Sequence, residues 1–285
     1  MEDYQQFESD FVSSHDRFKL YWQKWIPKGD LKRVIVIQHG FGEHCGRYGN
    51  VLSTFSDTGT AFYALDSRGH GRSPGKRGHV DQFQQYVDDL ADLIHMAREE
   101  TKQNEVFLLG HSLGGVIALQ YALQGTNQLN LRGLIVSSPA LEIQMDLEKE
   151  VKKVLVTVFS SVLPSFTLDA NLEIDYLSHD KKVVEDYKND PLVHGQVSFQ
   201  MAENLFLLGR AIYDKVKHLK VPIYIYQGTD DGIVSPKGST RLHEMVASSD
   251  KTLKLYDGLY HETMNEISPE KEKVLEDLKN WVLAH

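Results

Sequence analysis

The sequence predicts a mostly parallel, doubly wound α/β sheet with a helical insertion, on three observations. Short apolar runs recur at residues 34–37, 61–65, 106–109, 131–136 and 221–226, most of them leading into turn residues. Stretches of helical periodicity stand between several of them, the clearest at residues 81–99. Runs that are apolar on both faces suit strands covered by helices on both sides, and alternation of strand with helix makes the sheet parallel. Finally, the alternation stops near residue 141 and resumes after residue 215. The expected division is a sheet-bearing core over residues 1–140 and 216–285, with residues 141–215 inserted as a helical cap.

Taken in order, Phe18-Lys19-Leu20-Tyr21-Trp22-Gln23-Lys24-Trp25 mixes aromatic and polar residues, as an early antiparallel strand does. Lys28-Gly29-Asp30 is a turn, and residues 33–38 hold the first fully buried strand. That strand runs into His39-Gly40-Phe41-Gly42-Glu43-His44. Residues 51–55 suit a helix and 61–65 a buried strand, followed by the loop Asp66-Ser67-Arg68-Gly69-His70-Gly71. Over residues 81–99, Phe83, Val87, Leu90, Ile94 and Ala97 share one helical side. Buried strands follow at 106–109 and 131–136. In the insertion, Val151, Val154, Leu155, Val158, Phe159, Val162 and Leu163 fall on one helical face that Pro164 ends, and shorter helical pieces follow. A strand at 221–226, a helix at 239–246, a strand at 252–256 and an amphipathic helix at 269–283 close the chain.

Composition narrows the function. A chain of 285 residues is near the upper size of a single core and buries about three quarters of its unfolded surface. Lys and Arg number 31 against 40 Asp and Glu, a formal charge of −9. Without a basic surplus to displace counterions, nucleic-acid binding is not expected. Cys45 is the single cysteine, so no internal disulfide forms and nothing points to an oxidising compartment. The first residues are acidic and lack an apolar signal core, and no run reaches the roughly 18 residues a spanning helix needs. The expectation is a cytoplasmic protein, peripheral at membranes at most.

The stretch at residues 106–120 organises the chemistry. An apolar strand leads into Gly110-His111-Ser112-Leu113-Gly114, and an Ala-containing apolar helix follows. Strand, sharp turn and helix turn a bare G-x-S-x-G into a nucleophile elbow, with glycines where a Cβ would clash. A second G-x-S-x-G, Gly71-Arg72-Ser73-Pro74-Gly75, fails this test. The residue after the serine must give its N–H to an oxyanion, and Pro74 has none.

A serine nucleophile needs a base, and the base an orienting acid, in the chain order Ser, Asp or Glu, His. His261 follows the last strand and is the expected base, and the acid is Asp230 or Asp231, which spacing alone does not separate. The expected oxyanion donors are the N–H groups of Phe41 and Leu113. No cofactor and no metal are expected, since His39 and His44 lack a third ligand.

These residues carry a family resemblance. His39 to Tyr48 resembles the oxyanion-loop signature of the monoacylglycerol lipase group of the α/β-hydrolases. Asp66 to Ser73 with Arg77-Gly78-His79-Val80, Gly110 to Gly115, Tyr187-Lys188-Asn189-Asp190-Pro191-Leu192, Gly228-Thr229-Asp230-Asp231 and Tyr260-His261 are similar to further segments of that group, in order and over nearly the whole chain. The resemblance implies Asp231 as the acid and a cap with an apolar tunnel for one acyl chain. It also implies a narrow polar pocket for glycerol, with Glu43, Arg47, Tyr48, His111 and Tyr187 lining or supporting it. The implied activity is hydrolysis of monoacylglycerols through Ser112, Asp231 and His261. The alternatives are a lysophospholipase or broad carboxylesterase, and a non-catalytic lipid-binding module. The apolar stripe at 151–163 is read either as the cap's inner packing face or as a lid that touches a lipid surface.

Overall fold

A computed structural model describes residues 3–142 and 159–285. Ten strands are present among these residues: β1 (Tyr4–Val12), β2 (Lys19–Pro27), β3 (Arg33–Gln38), β4 (Thr60–Leu65), β5 (Val106–His111), β6 (Leu131–Ser137), β7 (Thr167–Asp169), β8 (Gln196–Ser198), β9 (Ile223–Gly228) and β10 (Lys251–Tyr256). The helices are α1 (Gly49–Thr54), α2 (Gln84–Thr101), α3 (Leu113–Ala122), α4 (Lys181–Asn189), α5 (Phe199–Lys215), α6 (Pro236–Met245) and α7 (Glu270–Ala284). Eight strands form one sheet in the order β1-β2-β4-β3-β5-β6-β9-β10, parallel from β4 to β10 and antiparallel at the β1-β2-β4 edge.

β4, β5 and β9 are buried at every position, which is why they read as continuous apolar runs. One core cluster joins Val34, Val36, Leu108 and Leu134 to α2 and α3, and the other joins Ile35, Ile37, Phe107 and Ile135 to α1 and α7. The chain crosses from β3 to β4 on one side and from β4 to β5 on the other, so the order reverses at β3. Ligands in open α/β sheets bind beyond the strand ends at such a reversal.

Two things differ from the expectations. β1 was not foreseen, because it pairs on one side only and six of its nine residues in a row are exposed, leaving no apolar run to read. In the insertion, β7 and β8 pair as an antiparallel ribbon where only helical pieces were expected. Of the apolar stripe, Val151, Val154, Leu155 and Val158 lie outside the described residues. The helix carrying Phe159 ends at Ser160, ahead of Pro164.

Candidate active site

The site is built where β3, β5, β9 and β10 end. β5 delivers Ser112 at φ 54°, ψ −118°, a left-handed conformation that a side chain adopts only under constraint. The constraint is visible. Ser112 N–H donates to Ser137 O at 2.9 Å, and Ser112 O accepts from Gly115 and Ala140 N–H at 3.0 Å. A Cβ on Gly114 would stand 2.1 Å from Gln38 O, and one on Gly110 would stand 2.3 Å from Gly114 O. The turn is therefore wedged between the end of β3 and the start of α3. Ser73, from the second G-x-S-x-G, is buried in a scaffold role: its Oγ donates to Asp66 O and accepts from Tyr21 N–H.

His261 Nδ1 donates to Asp231 Oδ2 at 2.7 Å. The same carboxylate accepts from Gln227 Nε2 and from the N–H groups of Ile233 and Val234, each at 2.9 Å. Asp230 is exposed and points its carboxylate at Thr229 Oγ1. Burial raises the Asp231 pKa, but the His261 ring and these N–H donors outweigh it and hold the group below the ordinary aspartate value. For His261 burial works against the charged ring, and Asp231, helped by Glu262 and Glu43, outweighs it and raises the pKa above 6.5. With Nδ1 donating to Asp231, the neutral form of the ring carries its lone pair on Nε2.

Phe41 and Leu113 both line the cavity at Ser112. The loop carrying Phe41 is held by Glu43, whose Oε1 accepts Gly40 N–H at 2.7 Å and Tyr48 Oη–H at 2.9 Å. His39 holds it from the other side: its Nε2 accepts Ser67 N–H at 2.9 Å, so its Nδ1 donates to Gly40 O at 2.7 Å. Glu43 Oε2 pairs with Arg47 at 2.9 Å, and Arg47 makes a two-pronged pair with Glu262 at 2.7 and 2.9 Å. Burial pushes the Glu43 pKa up, but Arg47 prevails and brings it down to about 2. The Arg47 guanidinium also lies 4.7 Å over the Tyr187 ring.

A cavity of about 650 Å³ opens from Ser112 toward the insertion. At one end stand Ser112, His261, Glu43, His111, Glu262 and Tyr187. Leu172, Leu177, Phe199, Leu205, Phe206 and Ile233 are among the side chains that make the rest apolar. Of the five residues expected at a polar end, Glu43, His111 and Tyr187 line the cavity, while Arg47 and Tyr48 stand behind Glu43. His111 packs 4.9 Å from the His261 ring, and burial, then His261, lower its pKa to about 4, so it is neutral beside the base. Among the described residues the lining contains no Lys or Arg.

Residues 29–268 match the family model described as Hydrolase_4, serine aminopeptidase S33. The chain belongs to this family. Within it the chain is 35% identical to a monoacylglycerol lipase of Mycolicibacterium smegmatis, over 94% of each chain. It is 34% identical to a phospholipase of Bacillus subtilis, over 88% of this chain and 95% of that one. A monoglyceride lipase of Saccharomyces cerevisiae, solved with a substrate analog, superposes with a TM-score of 0.85 at 26% identity, over 98% of this chain and 93% of that one. The family is one of α/β-hydrolases, and the fold described above is theirs.

Several residues around Ser112 and His261 escaped the reading of the sequence. Glu262 had a signal, a carboxylate directly after His261, but its pairing with Arg47 spans 215 positions. Ser138, at φ 43°, donates its Oγ to His261 O at 2.8 Å and had none. Arg68 pairs with Asp16 and Asp89, and Asp66 accepts the N–H groups of Cys45 and Arg72, so both brace loops outside the cavity. Cys45 is buried, and burial pushes its thiol pKa well up, which removes the thiolate a reagent would attack.

Proposed function

We propose that this hydrolase cleaves the ester bond of monoacylglycerols. The observation that carries the reading is the shape of the cavity at Ser112: a largely apolar body sized for an acyl chain, with Ser112 and His261 at one end. Ser112 Oγ attacks the ester carbonyl carbon while His261 Nε2 takes its proton. The Phe41 and Leu113 N–H groups hold the resulting oxyanion. Collapse expels glycerol, which leaves with the proton from His261. Water then attacks the acyl-enzyme, gives its proton to His261, and the fatty acid departs as Ser112 regains its hydrogen. Asp231 stays ionised throughout, fixing the tautomer and stabilising the imidazolium.

The polar end argues for an uncharged headgroup. Glu43 and Glu262 carry two negative charges against the one positive charge of Arg47, which they already occupy. A phosphate would meet a net negative wall. The similarity to a B. subtilis phospholipase favours a second reading, lysophospholipid hydrolysis by the same residues. The family's description as a serine aminopeptidase adds amide substrates. An α-amino group beside Ser112 would need a free carboxylate there, and Glu43 and Glu262, the two at that end, are engaged by Arg47.

Residues 141–215 are assigned to the cap, and the cap to transient contact with a lipid surface. Val162 is 71% exposed, Phe166 51%, and Leu163 and Leu168 48% each, beside the stacked rings of Phe159, Phe166 and Phe199. Exposed apolar side chains next to the cavity-lining Phe159, Leu168 and Phe199 suit delivery of an amphiphile. Among the described residues no helix is long and apolar enough to cross a membrane.

The test is hydrolysis of a matched panel: monooleoylglycerol, oleoyl lysophosphatidylcholine, ethyl oleate and leucine p-nitroanilide. A preference for monooleoylglycerol of about 100-fold in kcat/KM, nearly 3 kcal/mol of differential transition-state binding, is expected. Equal or faster release from the lysolipid would replace this reading with the second.

A further inference from the structure

We propose that Glu266 is a positioning residue for His261, acting by locking one leg of the insertion onto the loop that carries the base. The side chain of Glu266 is fully buried, yet its carboxylate makes no ion pair with Lys or Arg among the described residues. It is saturated instead by local donors. Oε1 accepts Tyr260 N–H at 2.9 Å and His179 Nδ1 at 3.0 Å; Oε2 accepts His179 N–H at 3.0 Å, Ile267 N–H at 3.3 Å and Ser178 Oγ at 3.5 Å. One end of this set is the residue before His261, and the other is a segment of the insertion.

The same two segments are zipped by the backbone. His261 N–H donates to Tyr176 O at 3.0 Å and Glu262 N–H to Leu177 O at 2.8 Å. Ser178 Oγ donates to Asn265 O at 2.9 Å. The His179 ring stacks on Tyr260 with centroids 3.6 Å apart. Residues 176–179 thus run beside residues 260–266, and Glu266 closes the zipper at its far end. Asp231 thus holds the ring of the base, Ser138 holds its carbonyl, and the clamp at Glu266 holds the loop around it. A carboxylate is suited to the task because one side chain can collect several backbone N–H groups that no strand or helix serves. It also follows that the insertion cannot swing as a whole without dragging His261, so any opening belongs to parts beyond residues 176–179.

This inference rests on His261 acting as the base. Glu266→Gln keeps one acceptor and weakens the clamp, whereas His179→Ala removes the Nδ1 bond and the stacking while leaving Glu266 in place. Kinetics on p-nitrophenyl butyrate, whose small headgroup makes no demand on the polar end, isolate the effect. The expected result for E266Q is a fall in kcat of about tenfold or more with KM within about twofold, because an ill-placed base slows proton transfer without altering the cavity. The groups facing His261 are Asp231, Glu262, Glu43 and His111. As the Asp231 contact loosens, the acid limb of the kcat/KM profile should move to lower pH, which a merely structural role would not produce. H179A should change in the same direction by a smaller factor. Gln200→Ala, which breaks the bond from Gln200 to Asp81 O at another tether of the insertion, should leave both parameters unchanged. A folded E266Q with wild-type kcat, or one whose loss lies in KM, overturns the proposal; if E266Q does not fold, wild-type kcat in folded H179A overturns it. Turnover surviving in His261→Ala would instead strike the proposed mechanism.

Discussion

Glu43 and Gly40 are joined by a 2.7 Å hydrogen bond from the Gly40 N–H to Glu43 Oε1, one residue before the Phe41 N–H assigned to the oxyanion. The bond makes a buried carboxylate the brace of the oxyanion loop, and Arg47 the counter-charge that keeps the brace ionised. Glu43→Ala should cut kcat/KM by about 100-fold, the scale of losing an oxyanion donor. Glu43→Gln keeps an acceptor for Gly40 and should recover much of that. Equal losses in the two variants, measured with monooleoylglycerol, would assign Glu43 a charge role instead of a bracing one.

The raised pKa of His261 sets the pH dependence. The base must be neutral to accept the Ser112 proton, so kcat/KM rises as pH rises through its free-enzyme pKa. That value lies above 6.5, and half-maximal activity should fall on the alkaline side of pH 6.5. A profile already flat at pH 6 would remove His261 as the titrating base.

Asp231 and Asp230 are adjacent but placed oppositely, one bonded to His261 and one at the surface. Asp231→Asn should lower kcat by about 10⁴ through the wrong tautomer of His261. Asp230→Asn should stay within about twofold, as expected of an exposed side chain away from the ring. Reversed effects would move the acid to Asp230.

The buried histidines His39, His70 and His111 and the half-buried His194 have pKa values lowered first of all by burial. Each takes up a proton more readily in the unfolded chain, so stability falls as pH drops below about 6.5. His261, with its raised value, contributes in the opposite sense. Four against one predicts a lower Tm at pH 5 than at pH 7.5. Thermal melts at the two pH values check it, and an equal or higher Tm at pH 5 would contradict the balance.

Val162 is the most exposed apolar side chain described in the insertion. Val162→Glu should weaken co-sedimentation with neutral phosphatidylcholine vesicles and lower the rate on vesicle-embedded monooleoylglycerol by several-fold. Hydrolysis of soluble p-nitrophenyl butyrate should be unchanged. Equal vesicle binding in variant and parent would make the patch a packing feature only.

Much of the molecule was legible in the residues. The apolar runs gave the central strands because burial on both faces leaves no polar register to confuse. The elbow was legible because Gly110 and Gly114 are demanded by contacts within a few residues and by the adjacent end of β3. β1 was not, since an edge strand with six exposed residues in succession owes its existence to pairing with β2. Glu266 was equally silent: a glutamate just ahead of the helix expected at 269–283 reads as solvated until its donors are known.

The sequence by itself determined the sheet, the elbow and the chain order of serine, acid and histidine, all features written in local pattern and steric need. Spacing left Asp230 and Asp231 open and the family resemblance implied Asp231; only the tertiary structure decided that Arg47 is spent on Glu43 and Glu262, and that residues 176–179 run beside the loop of His261. Those relationships join strand ends and an insertion that are far apart along the chain. No residue in them carries a pattern of its own. They exist because parallel crossovers bring every strand end to the same edge of one sheet, where a 2.7 Å contact is set by packing and not by spacing.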